Sequence, residues 1–227
     1  RLAWGAGLAK RMARERDIGA MLEHPNIARL YDAGVDERGR PFIALEHIDG
    51  IAIDAWCRQH KLSVRDKLRL IVQVAKAVAY AHGRLVVHRD LKPSNVMVSA
   101  DGQVHLLDFG IARLLDDAAT QDQAATQEQV RALTPHYASP EQLKGETLTV
   151  QSDVYSLGVL AYELLTGQMP YDAKRKTPAA IEEAILQGEV VVPSQRVEDR
   201  ALSRQLKCDI DAIVGKAMKV EQGQRYP

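Results

Sequence analysis

One short stretch of the chain gathers the residue types that phosphoryl transfer requires. It reads His88-Arg89-Asp90-Leu91-Lys92-Pro93-Ser94-Asn95, which brings a carboxylate, an ammonium group and an amide close together. Phosphoryl transfer is catalysed mainly by positioning and by neutralising charge, for which a base, a cation and metal-binding oxygens are the usual parts. We therefore expect this stretch to form a catalytic loop.

A β-hairpin is predicted directly after this loop. Residues 96–99 and 104–107 are apolar and flank Asp101-Gly102, a strong hairpin signal. A two-residue turn there places Asn95 opposite Asp108, and opposed residues lie about 4.5–5.5 Å apart. Amide and carboxylate oxygens at that spacing suit Mg²⁺. The pattern predicts a magnesium site at these two residues, although a longer turn would shift the register.

An amphipathic helix is predicted before the loop. It begins at Ser63, with Asp66 at the capping-box position, and it ends at Gly83. The apolar stripe that we expect to face the core consists of Leu68, Val72, Ala75 and Ala79.

The rest of the chain is predicted to be mainly helical. Residues 8–22 carry a helical stripe, and residues 154–166 are apolar nearly all round, which is typical of a helix at the centre of a domain. Residues 178–222 alternate amphipathic helix with turns, and two short strands are expected near 28–33 and 42–46. The expected fold class is α+β, with a small mixed front part and a larger helical rear part.

The ordered motifs resemble those of Hanks-type, eukaryotic-like protein serine/threonine kinases of bacteria. The loop 88–95 matches the family's catalytic loop, and Asp108-Phe109-Gly110 follows at kinase spacing. Ser139-Pro140-Glu141 stands where the family has Ala-Pro-Glu, with Ser for Ala. Residues 153–158 resemble the start of the central helix of the large lobe. The resemblance implies a two-lobed protein-kinase fold.

The resemblance implies that residues 1–227 form a partial kinase domain. Residues 1–47 correspond to a remnant of the small lobe, and residues 48–227 correspond to the large lobe without its last helical part. The family's glycine-rich loop and ATP-positioning lysine are not found, since residues 5–10 match that loop poorly. We expect a chain truncated at both ends, which would be inactive by itself.

The resemblance implies a transfer of the ATP γ-phosphate to serine and threonine hydroxyls, with ATP and Mg²⁺ as cofactors. Asp90 corresponds to the catalytic base, and Lys92 corresponds to the lysine that steadies the γ-phosphate. Lysine followed by Pro93-Ser94 is the serine/threonine form of the motif. Asn95 and Asp108 correspond to the family's Mg²⁺ ligands.

Four further positions correspond to nucleotide-binding residues of the family. The carbonyl of Glu46 and the amide of Ile48 stand where adenine is read, at the hinge between the lobes. Met97 corresponds to the residue that packs beneath adenine. Glu15 corresponds to the helix glutamate that pairs with the ATP-positioning lysine.

The resemblance also implies regulation by phosphorylation. Arg89 beside the base marks kinases that are controlled through their activation segment, because a phosphate pairs well with arginine. Thr120 and Thr126 are the preferred acceptors, in a segment (116–130) that is expected to be a solvated loop. Thr134 resembles the threonine that contacts the base and the lysine near the substrate.

Three residues are expected to be structural. Glu141 and Arg225 resemble the buried ion pair that locks the large lobe, and Asp153 stands at the start of the central helix.

The composition of the chain limits the classes of binding partner and the cellular compartment that we expect for the protein. Lys+Arg and Asp+Glu both number 30, so the zero net charge gives no support to nucleic-acid binding. No run of eighteen apolar residues predicts a membrane segment in this chain. The two cysteines, Cys57 and Cys208, have no partner motif, which favours a reducing, cytoplasmic location. The expected partners are protein substrates, with self-phosphorylation included.

Two other functions remain open. A pseudokinase or scaffold would present the large lobe to partners, but Asp90, Lys92, Asn95 and Asp108 are all present. A small-molecule phosphotransferase of the aminoglycoside-kinase type would share the Asp and Asn loop but lack the segment 139–141.

Overall fold

The computed structural model describes residues 22–37, 40–107, 135–171 and 177–227, except for the side chains of Pro41 and Pro135. The α+β class is confirmed. The strands are β1 (Leu30–Val35), β2 (Pro41–Leu45), β3 (Gly50–Ala52), β4 (Val96–Ser99) and β5 (Val104–Leu106). The α-helices are α1 (Ile53–Gln59), α2 (Val64–His82), α3 (Pro140–Lys144), α4 (Val150–Thr166), α5 (Pro178–Gln187), α6 (Pro193–Arg196), α7 (Arg200–Leu206) and α8 (Asp209–Ala217). Short 3₁₀ helices cover Pro93–Asn95, Pro135–Tyr137 and Gln222–Gln224.

The strands form two antiparallel sheets. β1 pairs with β2, and β4 lies between β3 and β5 in the second sheet. The strands predicted near 28–33 and 42–46 are present with ends shifted by one or two residues, whereas β3 was not predicted. Its three residues are too few to give a pattern in the sequence.

The hairpin of β4 and β5 has a longer turn than the sequence predicts. Val96 faces Leu106 and Val98 faces Val104, so the expected two-residue turn is wrong. The turn starts at Ser99, whose carbonyl accepts a hydrogen bond from the N–H of Gly102 at 2.8 Å. Gly102 has a φ of 80°. A type I turn followed by a left-handed glycine is the usual form of a three-residue hairpin loop.

Helix α2 has the predicted ends but buries a different face. Ser63 caps it, because the Ser63 hydroxyl accepts from the N–H of Asp66 at 3.2 Å. The predicted stripe is wrong, since Val72 is 50% exposed. The sequence of this helix carries apolar residues on two faces. The face that packs against the rest of the core is the one that is buried. Its buried residues are Leu70, Val74, Ala77, Val78 and Ala81.

Helix α4 runs through the centre of the large helical part, as predicted. Leu160 and Leu164 belong to a core that it shares with α2, β4 and β5. Tyr155, Val159 and Tyr162 belong to a second core with α5 and α8. Because both cores share α4, the residues at its start have a rigid support.

The segment before β1 is joined to the β4–β5 hairpin through Asn26. The Asn26 side-chain amide donates to the carbonyl of Val104 at 2.8 Å and to Oε1 of Gln73 at 3.1 Å. Main-chain bonds of 2.9 Å run from Leu106 N to the Asn26 carbonyl and from Ala28 N to the Leu106 carbonyl. This junction ties α2, the hairpin and the entry to β1 together.

The predicted helix 8–22, apart from Leu22, and the predicted loop 116–130 lie outside the described residues. None of the helices in the described part combines the length and apolar character that crossing a bilayer requires.

Candidate active site

Asp90, Lys92 and Asn95 meet in one polar cluster. Lys92 Nζ lies 2.6 Å from Oδ2 of Asp90. Asn95 Nδ2 donates to the same oxygen at 3.0 Å and to the Asp90 carbonyl at 2.8 Å. The side chains of Lys92 and Asp90 are 31% and 26% exposed, so the cluster is open to a ligand. The structure therefore brings together the base, the cation and one of the two metal ligands that the sequence predicts.

The Asp90 loop is held from below by Asp153, near the start of α4. The buried Asp153 carboxylate accepts from the main-chain N–H groups of His88 at 2.7 Å and Arg89 at 2.8 Å. Nε2 of His82, in the last turn of α2, lies 2.7 Å from Asp153 Oδ2. The ring of His88 is buried, with Nε2 3.0 Å from the carbonyl of Leu107. The loop is thus fixed to α2, α4 and the end of β5.

The longer hairpin turn changes the residue that faces Asn95. The Asn95 carbonyl accepts from the N–H of Leu107 at 2.9 Å, so Leu107 continues the β4–β5 ladder. The prediction that Asn95 directly faces Asp108 is wrong by one residue. Asp108 is the next residue after Leu107 in the sequence. Its own placement lies outside the described residues.

Four other predicted site residues also lie outside the described residues. They are Glu15, Thr120, Thr126 and Thr134.

The described residues fit one side of a magnesium site. Asn95 uses its amide nitrogen for Asp90, which leaves its amide oxygen as the atom for a cation. Mg²⁺ typically takes one or two protein oxygens and completes its shell with water and phosphate. Within the described ranges no group of three or more His, Cys, Asp or Glu could hold a metal. The sequence predicts the further oxygens of such a site at Asp108 and on the substrate phosphates.

The predicted hinge lies between β2 and β3. Glu46 is fixed to the start of β1, since its N–H donates to the Arg29 carbonyl at 2.8 Å and its Oε2 accepts from Arg29 N at 3.1 Å. Ile48 leads into β3, in which Ala52 pairs with Met97 of β4. Met97 is half-buried, on the face of β4 opposite to the buried Val96 and Val98. The register thus connects the hinge to the strand that carries Met97.

Glu141 and Arg225 form a buried ion pair, as the resemblance implies. Arg225 donates from Nη1 and Nη2 to the two Glu141 carboxylate oxygens at 2.7 and 2.9 Å. It also donates to three main-chain carbonyls, those of Gln151, Lys219 and Val220. Burial by itself raises the pKa of Glu141, but the hydrogen bonds from Arg225 and Ser152 outweigh it and hold that pKa below its usual value.

A second polar contact ties the segment before α3 to α4. The hydroxyl of Tyr137 donates to Oε2 of Glu163 at 2.5 Å. Burial, and next the bond to Glu163, raise the pKa of Tyr137 well above its ordinary value, so the phenol stays a donor. Burial also raises the pKa of Glu163. His136, which precedes Tyr137, has a pKa lowered by burial.

Sequence reasoning missed two residues that support the loop. His82 contacts Asp153, and Nε2 of Gln142 donates to the carbonyl of Arg89 at 2.7 Å. The pattern Ser139-x-x-Gln142 is a capping-box signature, so the sequence does indicate that Gln142 closes the first turn of a helix. Nothing in the local sequence indicates its contact with Arg89.

Comparisons with known proteins agree with this geometry. The family described as the protein kinase domain matches residues 5–226. The serine/threonine-protein kinase PknB of Mycolicibacterium smegmatis is 35% identical over 220 residues, which cover 95% of this chain and 33% of that protein. PknB of Mycobacterium tuberculosis is 34% identical, with the same coverage. The "Probable serine/threonine-protein kinase PknB" of Lactococcus lactis is 38% identical over 173 residues, which cover 76% of this chain and 27% of that protein.

The chain spans about a third of the length of the curated relatives it matches. The match nevertheless covers nearly all of this chain and includes the loop with Asp90, the ion pair of Glu141 and Arg225, and the central helix α4. The chain belongs to the protein kinase family, and the relatives named above carry the names of serine/threonine-protein kinases of bacteria.

Proposed function

We propose that the full-length protein transfers the γ-phosphate of ATP to serine and threonine hydroxyls of proteins. The cluster in which Lys92 Nζ and Asn95 Nδ2 lie 2.6 and 3.0 Å from the same Asp90 carboxylate oxygen carries the proposal. A binding-only pseudokinase would have no need of a lysine and an amide converging on one carboxylate oxygen.

Asp90 acts as the base in this proposal. Lys92 and Asn95 both contact Oδ2, which leaves Oδ1, as far as the described residues are concerned, for the acceptor hydroxyl. The carboxylate accepts the hydroxyl proton while the hydroxyl oxygen forms its bond to the γ-phosphorus. The bond from that phosphorus to the bridging oxygen breaks, and ADP leaves. Lys92 can turn from Asp90 towards the transferred group and neutralise part of its charge.

ATP is bound between the hinge and the catalytic loop. The Glu46 carbonyl and the Ile48 amide read the adenine, Met97 packs beneath it, and Glu15 orders the lysine that positions the phosphates. Asn95 and Asp108 hold the magnesium ion, whose charge offsets that of the phosphates. The half-buried Met97 and the amide oxygen of Asn95 support this arrangement.

Residues 1–47 contribute the small lobe and residues 48–227 the large lobe in this proposal. Phosphate on Thr120 or Thr126 pairs with Arg89 and orders the activation segment, through self-phosphorylation among other routes. Thr134 contacts the base and the lysine. Both cysteines are free thiols, which supports a cytoplasmic location.

The test is Asp90→Asn in the full-length protein, with Asp101→Asn at the hairpin tip as the matched control. We expect Asp90→Asn to lower phosphate transfer to generic protein substrates by about 10²-fold or more, the range of general-base catalysis. Nucleotide affinity should stay the same, since Asp90 is not a predicted metal ligand. Retention of more than about a tenth of wild-type turnover would contradict the role of Asp90.

A further inference from the structure

Gln142 joins helix α3 to the loop that carries Asp90. Its Oε1 accepts from the N–H of Ser139 at 2.9 Å, and its own N–H donates to the Ser139 hydroxyl at 3.4 Å, which together form a capping box. Its Nε2 donates to the carbonyl of Arg89 at 2.7 Å. One side chain therefore accepts a bond within the helix cap and donates a bond to the loop.

The carbonyl that accepts from Gln142 belongs to Arg89, a residue with an unfavourable backbone conformation. Arg89 has a φ of 68°, in the left-handed region that non-glycine residues seldom adopt. Its N–H donates to Asp153 of α4, while its carbonyl accepts from Gln142 of α3. Two helices thus hold the two sides of this residue. The Arg89 carbonyl belongs to the peptide group that joins Arg89 to Asp90. Because this group is planar, the direction of the carbonyl fixes the orientation of the main chain at Asp90.

We infer that Gln142 is a positioning residue, which orients the Asp90 carboxylate through the Arg89–Asp90 peptide. The inference rests on the proposed kinase function. Only a side chain with an acceptor and a donor at this distance can close the cap and hold the loop together. Glutamate has the same shape and keeps the acceptor, but when ionised it has no donor for the Arg89 carbonyl. Placement errors of about 1 Å can cost an enzyme 10²-fold in rate.

The test is Gln142→Glu in the full-length protein. Near neutral pH we expect kcat to fall about tenfold or more while KM for ATP is unchanged, because the nucleotide-binding groups are untouched. Protonation of the new carboxyl supplies an O–H donor, so the ratio of variant to wild-type kcat should rise as the pH is lowered towards about 5. Gln142→Met, which has no such donor, should lose kcat without this recovery.

Ser139→Ala is the matched control, because it weakens the same helix cap and keeps the bond from Gln142 to Arg89. It should lower the Tm and leave kcat unchanged. Hydrogen–deuterium exchange of peptides covering residues 88–91 gives a readout that does not depend on activity. Exchange there should be faster in Gln142→Glu than in the wild type or in Ser139→Ala.

Two results would overturn the inference. One is a Gln142→Glu variant with wild-type kcat and wild-type exchange in residues 88–91. The other is an equal loss of kcat in Ser139→Ala, which would assign the effect to the stability of α3. If the wild-type protein transfers no phosphate, the proposed function fails, and the exchange comparison still decides whether Gln142 holds the loop.

Discussion

The main-chain N–H of Arg89 donates to Oδ1 of Asp153 at 2.8 Å, across 64 residues of sequence. The other oxygen of the same buried carboxylate accepts from the N–H of His88. One side chain on the central helix thereby orients two consecutive peptide groups immediately before Asp90. The position of the proposed base is therefore set from α4, a helix whose residues are mostly buried.

We expect Asp153→Asn to destabilise the protein and to slow catalysis. Asparagine offers one acceptor oxygen in place of two, so one of the two N–H groups loses its bond. An unsatisfied buried donor costs about 1–3 kcal/mol in the free energy of unfolding. Urea denaturation measures this loss. Asp54→Asn, at the exposed pair with Arg58, is the control and should cost less than about 1 kcal/mol. Equal losses in the two variants would show that Asp153 is not a structural centre.

The ion pair of Glu141 and Arg225 should be costly to break from one side. Arg225→Met leaves the buried Glu141 carboxylate without its partner, and we expect a loss of about 3–5 kcal/mol in the free energy of unfolding. Arg58→Met is the matched change at an exposed pair and should cost less than about 1 kcal/mol. Guanidinium denaturation of both variants gives the comparison. A loss below about 1 kcal/mol for Arg225→Met would mean that the pair contributes no more than a surface contact.

Glu163 should make the folded protein less stable as the pH rises, whereas a carboxylate with a lowered pKa makes it more stable. Because burial raises its pKa in the folded state, the native protein holds a proton that the unfolded chain releases. The free energy of unfolding therefore falls as the pH rises from about 4.3 through the raised pKa. Glu163→Gln keeps an acceptor for Tyr137 and removes this dependence.

Denaturation of the wild type and Glu163→Gln between pH 4 and pH 8 tests this. Relative to the wild type, the variant should gain stability as the pH rises through that window and then level off. Glu189→Gln, at an exposed position, should show no such gain. A difference between wild type and Glu163→Gln that is constant with pH would contradict the raised pKa.

The left-handed glycine in the hairpin turn gives a prediction about backbone conformation. A Cβ at Gly102 would meet no atom within 4 Å, so Gly102→Ala tests backbone conformation alone. We expect a loss of about 1–2 kcal/mol, with a smaller loss for Gly102→Asn, because asparagine tolerates this conformation. Gly215→Ala, inside α8, should instead stabilise by about 0.5–1 kcal/mol. Thermal denaturation measures all three, and a neutral Gly102→Ala would contradict the left-handed backbone conformation of Gly102.

Magnesium should couple to nucleotide through Asp108. We expect Asp108→Ala in the full-length protein to remove the magnesium dependence of nucleotide binding, measured by calorimetric titration with and without the metal. Asp101→Ala, in the exposed turn of the same hairpin, is the control and should titrate like the wild type. An unchanged titration for Asp108→Ala would place the metal elsewhere.

The sequence predicts the catalytic loop well because its chemistry lies in one continuous stretch. Asp90, Lys92 and Asn95 are close in the sequence and meet in the structure. The hairpin register is harder to predict, because Asp101-Gly102 is compatible with turns of two and of three residues. For this reason the prediction that Asn95 lies opposite Asp108 is wrong by one residue.

Other features depend on contacts between distant residues, which no local pattern records. Helix α2 carries apolar residues on more than one face, and the packing of β4, β5 and α4 decides which of them is buried. Gln142 meets Arg89 across 53 residues, and His82 meets Asp153 across 71. These contacts require the complete fold.

The anchoring of Asn26 has a mechanical consequence. The chain enters the β1–β2 sheet after Ala28, which is bonded to Leu106, and leaves it towards β3, which is bonded to β4. Both attachments therefore end on the same three-stranded sheet. The β1–β2 hairpin is itself closed at this end by the bond from Glu46 N to the Arg29 carbonyl. A force on β1 or β2 is therefore passed through backbone bonds to the sheet that contains Met97.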